Sequence, residues 1–189
     1  MTLYHGIIVG SWVVLACYWF VAALFAKRVV ERQSRASRLI QLAVMVAAFE
    51  LLLNPDLPLY RAGHFVVPHT PLVGLAGTMI CLAGLAFTFW ARYTLGGNWS
   101  GTVTFKEDHE LVLRGPYQFV RHPIYTGLLT MFLGSAVVWS TWPAFAGLAI
   151  EFLGLWLKSK REEALMMKHF PDTYPLYKAR VKGIVPYVF

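Results

Sequence analysis

Charge is the first thing this sequence is short of. Only 14% of its 189 residues are Asp, Glu, Lys or Arg, whereas a soluble domain carries about 25%. Acidic residues are the scarcer sign, 10 against 17 basic, leaving a formal charge of +7. Cysteine is nearly absent: Cys17 and Cys81 both sit inside apolar runs, which excludes a disulfide framework and a cysteine metal site. The six histidines, His5, His64, His69, His109, His122 and His169, are scattered and no HExxH occurs, so no metal is expected. A GxGxxG strand-to-helix turn, a Walker phosphate loop and a GxSxG elbow are all missing. That removes the usual sequence support for nucleotide-binding sheets and serine hydrolases. No basic n-region precedes the first apolar run, so this run reads as a retained span rather than a cleaved signal.

Long apolar stretches are what the chain does have, with 57% hydrophobic residues. The expected fold is an all-α integral membrane protein, one domain over 1–189, with five transmembrane helices ending in a helical hairpin. The first span covers Leu3 to Phe25 without a charge, enough at 1.5 Å per residue to cross about 30 Å of hydrocarbon. The second runs from Leu39 to Leu53, with room to extend upstream, and the third from Pro71 to Trp90. These three occupy residues 1–91. After a cytoplasmic connection over 92–123, the hairpin and the cytoplasmic C-terminal region fill 124–189. Within Ile124 to Leu157 the stretch WSTWP, residues 139–143, breaks the run. Tryptophans suit an interface, and Pro143 suits the first turn of a new helix.

Charge distribution orients these spans. The loop 27–38 has five basic residues, the segment 92–121 four, and the tail 158–182 seven, whereas the opposite side receives only Arg61. The positive-inside rule then puts the N-terminus outside and the C-terminus in the cytoplasm, in the inner membrane if the cell is prokaryotic. The same distribution accounts for the positive charge without nucleic acid. Glu50 and Glu151 lie within apolar runs. Each either pairs within the bundle or lines a cavity.

The polar segments hold the remaining chemistry. LGGNWSG, residues 95–101, has the glycines of a shaped turn, and the alternation in TVTF and ELVL suggests short extended pieces. In RHPIY, residues 121–125, Pro123 fits a helix first turn, Arg121 offers a planar fork of donors and His122 two ring nitrogens. The group is either a site for an anion or a basic flank with interfacial aromatics. REEALMMKHF, residues 161–170, extends the last span. Glu162 and Glu163 are adjacent, about 100° apart on a helix, so one is expected to face a site and the other solvent. Leu165, Met166, His169 and Phe170 cover an apolar ligand or pack on the membrane surface, and YPLYKARVKGIVPY suits an interfacial element.

Taken together, GPYQFVRHPIYTG, residues 115–127, and REEALMMKHFPDTYPLYKARV, residues 161–181, with NWSG at 98–101, resemble the isoprenylcysteine carboxyl methyltransferase family. The wider group includes phospholipid N-methyltransferases. The resemblance is close only in the C-terminal half. It implies methyl transfer from S-adenosyl-L-methionine at the cytoplasmic face, with S-adenosyl-L-homocysteine as product and a cofactor pocket unlike a Rossmann fold. Carried onto this sequence, it marks Tyr117, Arg121, His122, Pro123, Tyr125, Gly127, Leu128, Leu129, Arg161, Glu162 and Glu163 as cofactor-side residues, with Glu163 the preferred inward carboxylate. Arg92, Asn98, Trp99 and Glu151 are acceptor-side candidates. The implied acceptor is lipid or isoprenylated, foremost an isoprenylcysteine-like carboxylate. A lipid amine, a small thiol and, in a different class, a transported solute are the alternatives. No obligate protein partner is indicated.

Overall fold

The computed structural model describes residues 3–24, 29–32, 34–54, 56–59, 65–96, 104–106 and 111–186. Asn98 and Trp99, with His64 and His109, lie outside these residues. Six α-helices dominate: α1 (Leu3–Ala23), α2 (Arg35–Leu53), α3 (Pro71–Leu95), α4 (Pro123–Trp139), α5 (Trp142–His169) and α6 (Tyr174–Arg180). Three of them, α1, α2 and α3, are long and apolar enough to cross a membrane, as befits an integral membrane protein. The apolar α4 has 17 residues, about 26 Å of rise. α5 has 28, about 42 Å of rise.

Local sequence sets the helix ends. Ser34 caps α2 by accepting from the Ser37 amide, and Thr70 caps α3 from the Val73 amide, ahead of Pro71, each side chain replacing an intrahelical partner that the first turn lacks. Pro123 begins α4. WSTWP makes the hairpin: α4 stops at Trp139, Ser140 turns the chain at φ 55°, and Pro143 lies in the first turn of α5. α2 starts at Arg35, four residues upstream of the expected boundary, and α3 continues to Leu95. One non-helical pairing falls where the alternation in TVTF suggests an extended piece. A two-stranded antiparallel ribbon pairs β1 (Val29–Arg32) with β2 (Thr104–Lys106). Two loop backbones that lack intrahelical partners satisfy one another there.

α3 and α4 form the tightest pair. A Cβ on Gly84 would lie 2.7 Å from the Gly127 carbonyl oxygen, and one on Gly77 2.8 Å from that of Gly134. Glycine is the side chain that permits such backbone approach in lipid, where packing rather than water exclusion drives helix association. α1 packs on α3 and α4, whereas α2 packs on α5 and α4. The two consecutive helices therefore diverge. They meet through Trp12 and Phe49, whose ring centroids are 4.8 Å apart. Beyond these rings, toward the α1 N-terminus, the bundle is filled by Ile8, Ala48, Leu52 and Ala136, all fully buried. On the other side of them it opens.

Candidate functional site

A cavity of about 870 Å³ occupies that open half. Ligand sites commonly span about 300 to 1,000 Å³, so this one is at the roomy end. It has two regions. The polar region is lined by Tyr117, Tyr125, Glu162, Tyr174 and Tyr177, together with Arg121 and His122. The apolar region runs down between α1 and α2 past Leu15, Trp19, Leu42, Met45 and Leu128 to Phe132. Leu42 and Met45 are 51% and 41% exposed, so the corridor reaches the lipid-facing surface between the splayed helices.

The polar region is organised around His122, the N-cap of α4. Its Nε2 lies 3.3 Å from Glu163 Oε1 and its Nδ1 3.4 Å from Glu162 Oε2. Arg121 donates to Glu163 Oε1 through Nη2 at 2.6 Å and Nε at 3.0 Å. Lys178 Nζ lies 2.8 Å from Glu163 Oε2. The Tyr125 hydroxyl donates to Glu162 Oε1 at 2.5 Å, and its ring stacks on His122 with a 3° interplanar angle. Burial disfavours the His122 imidazolium, but hydrogen bonds to both glutamates outweigh it and raise the pKa above its ordinary value. Burial likewise opposes ionisation of Glu163; contacts from His122, Lys178 and Arg121 overcome it and hold the carboxyl far below the usual range. Glu162 is also lowered, against its burial, by the His122 hydrogen bond and the Lys158 charge. Burial and the nearby Glu162 push the Tyr117 phenol up, so it stays protonated.

The C-terminal segment closes this region. Arg121 Nη1 donates to the Lys178 carbonyl at 3.3 Å and to that of Val181. The Arg121 and His122 amides donate to the carbonyls of Lys182 and Gly183 at 2.8 and 3.1 Å. The Tyr177 hydroxyl donates to the Tyr117 carbonyl at 2.6 Å. Tyr174, Tyr177 and Lys178 were not among the sequence candidates. Their signal was two tyrosines and a lysine on one short basic helix, which also fits a membrane-surface element.

Sequence candidates separate on this frame. Tyr117, Arg121, His122, Pro123, Tyr125, Leu128, Glu151 and Glu162 all border the cavity. Both members of the glutamate pair turn to His122, because the ring presents one nitrogen to each; neither is left to solvent, as expected of one. Glu163 was the preferred inward carboxylate, but Arg121 and Lys178 draw it toward the tail, and Glu162 is the one that lines the cavity. Arg161 is exposed and donates to Ser37 Oγ at the start of α2. Gly127 serves the α3 seam against Gly84 and Thr88, and Leu129 packs beside Ala91 and Ile124. Arg92, 4% exposed, donates to the carbonyls of Ala22 at 2.9 Å and Gly96 at 2.7 Å. Carbonyls left free at two helix C-termini attract a guanidinium, and this clamp holds it outside the cavity lining. Glu50 accepts from Asn54 Nδ2 at the end of α2. Among the described residues no three potential ligands cluster for a metal.

A membrane bundle with a polar cradle at one end and a lipid-side corridor defines a class: an integral membrane protein with one chamber that is polar at one end and apolar at the other. The profile of the phospholipid methyltransferase family matches residues 72–173, and the chain belongs to that family. It is 33% identical over 104 residues to a protein-S-isoprenylcysteine O-methyltransferase of Schizosaccharomyces pombe, covering 52% of this chain and 43% of that protein. Against the Saccharomyces cerevisiae protein of the same name it is 27% identical over 152 residues, 77% of this chain and 61% of the relative. An uncharacterized Haemophilus influenzae protein is 26% identical over 80% of this chain and 84% of its own length. The chain thus spans only part of each yeast enzyme. A solved eukaryotic intramembrane Ras methyltransferase, an isoprenylcysteine carboxyl methyltransferase, shares the fold with a TM-score of 0.53 at 23% identity, over 82% of this chain and 54% of that one.

Proposed function

We propose that the protein transfers a methyl group from S-adenosyl-L-methionine to a membrane-borne acceptor, foremost the carboxylate of an isoprenylcysteine-like molecule. The observation that carries this is the continuity of the cavity from the His122 cradle to the lipid-facing corridor. Reactants of opposite polarity can meet there. The five-span arrangement, with α4 and α5 as the last two spans and the cradle at the cytoplasmic face, is supported by the basic residues of 27–38, 92–121 and 158–182.

The residues present suit the donor. S-adenosyl-L-methionine supplies a methyl on a positively charged sulfur, and transfer leaves a neutral thioether. Glu162 offers carboxylate oxygens to an ammonium or ribose hydroxyl. The Tyr117, Tyr125 and Tyr174 rings offer faces to a cation or a heterocycle, and Leu165 and Met166 add apolar wall. Arg121 has most of its donors committed to Glu163 and the tail carbonyls, so it chiefly holds the cradle in shape. His122 does the same for the two glutamates. Orientation of the reactants and exclusion of water then contribute to the rate. A carboxylate acceptor is ionised at neutral pH and needs no base.

A lipid amine is the second reading, favoured by Glu151. This carboxyl is 6% exposed and borders the corridor, where it can take hydrogen bonds from an ammonium or accept its proton. The test incubates the purified protein in nanodiscs with methyl-labelled S-adenosyl-L-methionine and either N-acetyl-S-farnesylcysteine or phosphatidylethanolamine. A labelled methyl ester supports the first reading and an N-methyl lipid the second. Absence of both labelled products and of cofactor binding refutes the proposal.

A further inference from the structure

Trp12, Phe49 and Phe132 close the deep end of the corridor as a triangle of edge-to-face rings. Their centroids are 4.8 Å apart for Trp12 and Phe49, 5.1 Å for Trp12 and Phe132, and 4.9 Å for Phe49 and Phe132. The floor is anchored. Trp12 Nε1 donates to Ser135 Oγ at 3.1 Å, and Ser135 Oγ donates to the Met131 carbonyl at 2.7 Å. Phe132 is 1% exposed, and Ile8, Leu52 and Ala48 lie fully buried in the same packed cluster. A ligand pushing down therefore meets close-packed side chains, which do not part without cost.

Depth follows from α4. Tyr125 belongs to the polar cradle and Phe132 to the floor, seven residues apart, which is about 10 Å of helix rise. The wall between them is largely apolar, with Leu15, Leu128 and Leu155.

We infer that the Trp12–Phe49–Phe132 triangle is a length gauge, which selects an acceptor carrying one apolar chain of limited length and rejects longer single chains and diacyl lipids. This rests on the methyl-transfer reading for the word acceptor, while the gauge itself is a property of binding. An over-long chain must either bend back toward the cleft or displace packed rings. Displacing close-packed side chains is unfavourable, so roughly a tenfold loss of affinity at the first excess length is expected.

The experiment uses the full chain in nanodiscs and a ladder of N-acetyl-S-alkylcysteines of increasing chain length, each competing with a labelled short member for binding. Methyl transfer is scored separately. Wild type should show a break in affinity at one chain length, about tenfold or more for longer members. Phe49→Ala should move the break to longer chains. Met45→Phe, one turn nearer the mouth on α2, should move it to shorter ones. Dioleoyl phosphatidylethanolamine should compete no better than the background lipid. A wild-type ladder without a break overturns the gauge, as does a break that neither variant moves or effective competition by the diacyl lipid. Retained cofactor binding shows that each variant is folded. A break accompanied by no methyl transfer would keep the gauge and sink the methyltransferase reading.

Discussion

α4 is held on its two sides by opposite means. Toward α3 the contact is made by absence: Gly77, Gly84, Gly127 and Gly134 let the backbones touch. Toward α5 and the tail, the N-terminal end of α4 is held by ions and hydrogen bonds, with Arg121, His122 and Tyr125 against Glu162 and Glu163, and Lys178 of the tail pairing with Glu163 in turn. The first contact is short-ranged and leaves no room for a side chain. The second consists of charged and hydrogen-bonding groups, which are able to exchange partners. The methyl transfer proposed above would use both, one fixed wall against which a chamber is built and one wall able to answer its contents.

The largest break of this contrast should come from Arg121→Ala. It strips a paired cation from Glu163, whose side chain is 3% exposed, and releases two tail carbonyls. Removing one partner of a buried pair costs about 3 to 5 kcal/mol. The variant should melt far earlier in detergent and expose the segment after Tyr174 to protease. An unchanged melt would show that the polar side does not hold the tail.

Next comes the seam. Gly134→Val would drive a side chain into the Cys81 amide and the Gly77 carbonyl. A loss of about 1 to 3 kcal/mol is expected, read in the same melt. Full stability would mean that the helices separate freely, and the contrast would fail.

Within the polar side, Glu162→Gln should weaken S-adenosyl-L-methionine binding by roughly tenfold or more, the value of a hydrogen bond to a charged group, with a smaller effect on melting than on binding. Glu163→Gln should do the reverse. Calorimetry beside melting separates them, and identical behaviour would erase the division between a cavity-facing and a tail-facing carboxylate.

pH gives a smaller and signed effect. His122 has a pKa raised above 6.5, so its contribution is complete below 6.5 and fades as pH rises through the raised value. Glu162 and Glu163 are depressed below 4.5, so theirs is complete above 4.5 and fades as pH falls through the depressed values. Stability from this cluster should peak between 4.5 and 6.5, and His122→Gln should remove the alkaline decline. Smallest of all, Gly10→Ala in α1, where a Cβ meets nothing within 4 Å, should shift stability by less than about 1 kcal/mol. A drop as large as that of Gly134→Val would show that glycine content, not the seam, is what matters.

Much of this was legible in residue order. Apolar run lengths gave the three long helices, because crossing hydrocarbon demands a run of a certain length whatever its neighbours are. Pro123, Pro143 and the WSTWP break marked helix ends for local steric reasons. The two polar motifs marked the cradle, since arginine, histidine and glutamate beside an apolar helix need partners. What remained hidden depended on which atoms lie near each other across the bundle. Arg92 carries the same chemistry as Arg121, yet free helix-end carbonyls claim it. Glu162 and Glu163 diverge on a helical wheel, yet one imidazole reaches both. Tyr177 belongs to the cradle through a hydrogen bond across 60 residues of sequence. The sequence by itself determined that this chain enters a membrane and where its polar chemistry lies, because hydropathy and helix breaking are properties of short segments. Only the tertiary structure decided that α1 and α2 diverge, that an aromatic floor closes the gap, and which carboxylate faces it. Those follow from packing between segments, and no single segment contains that information.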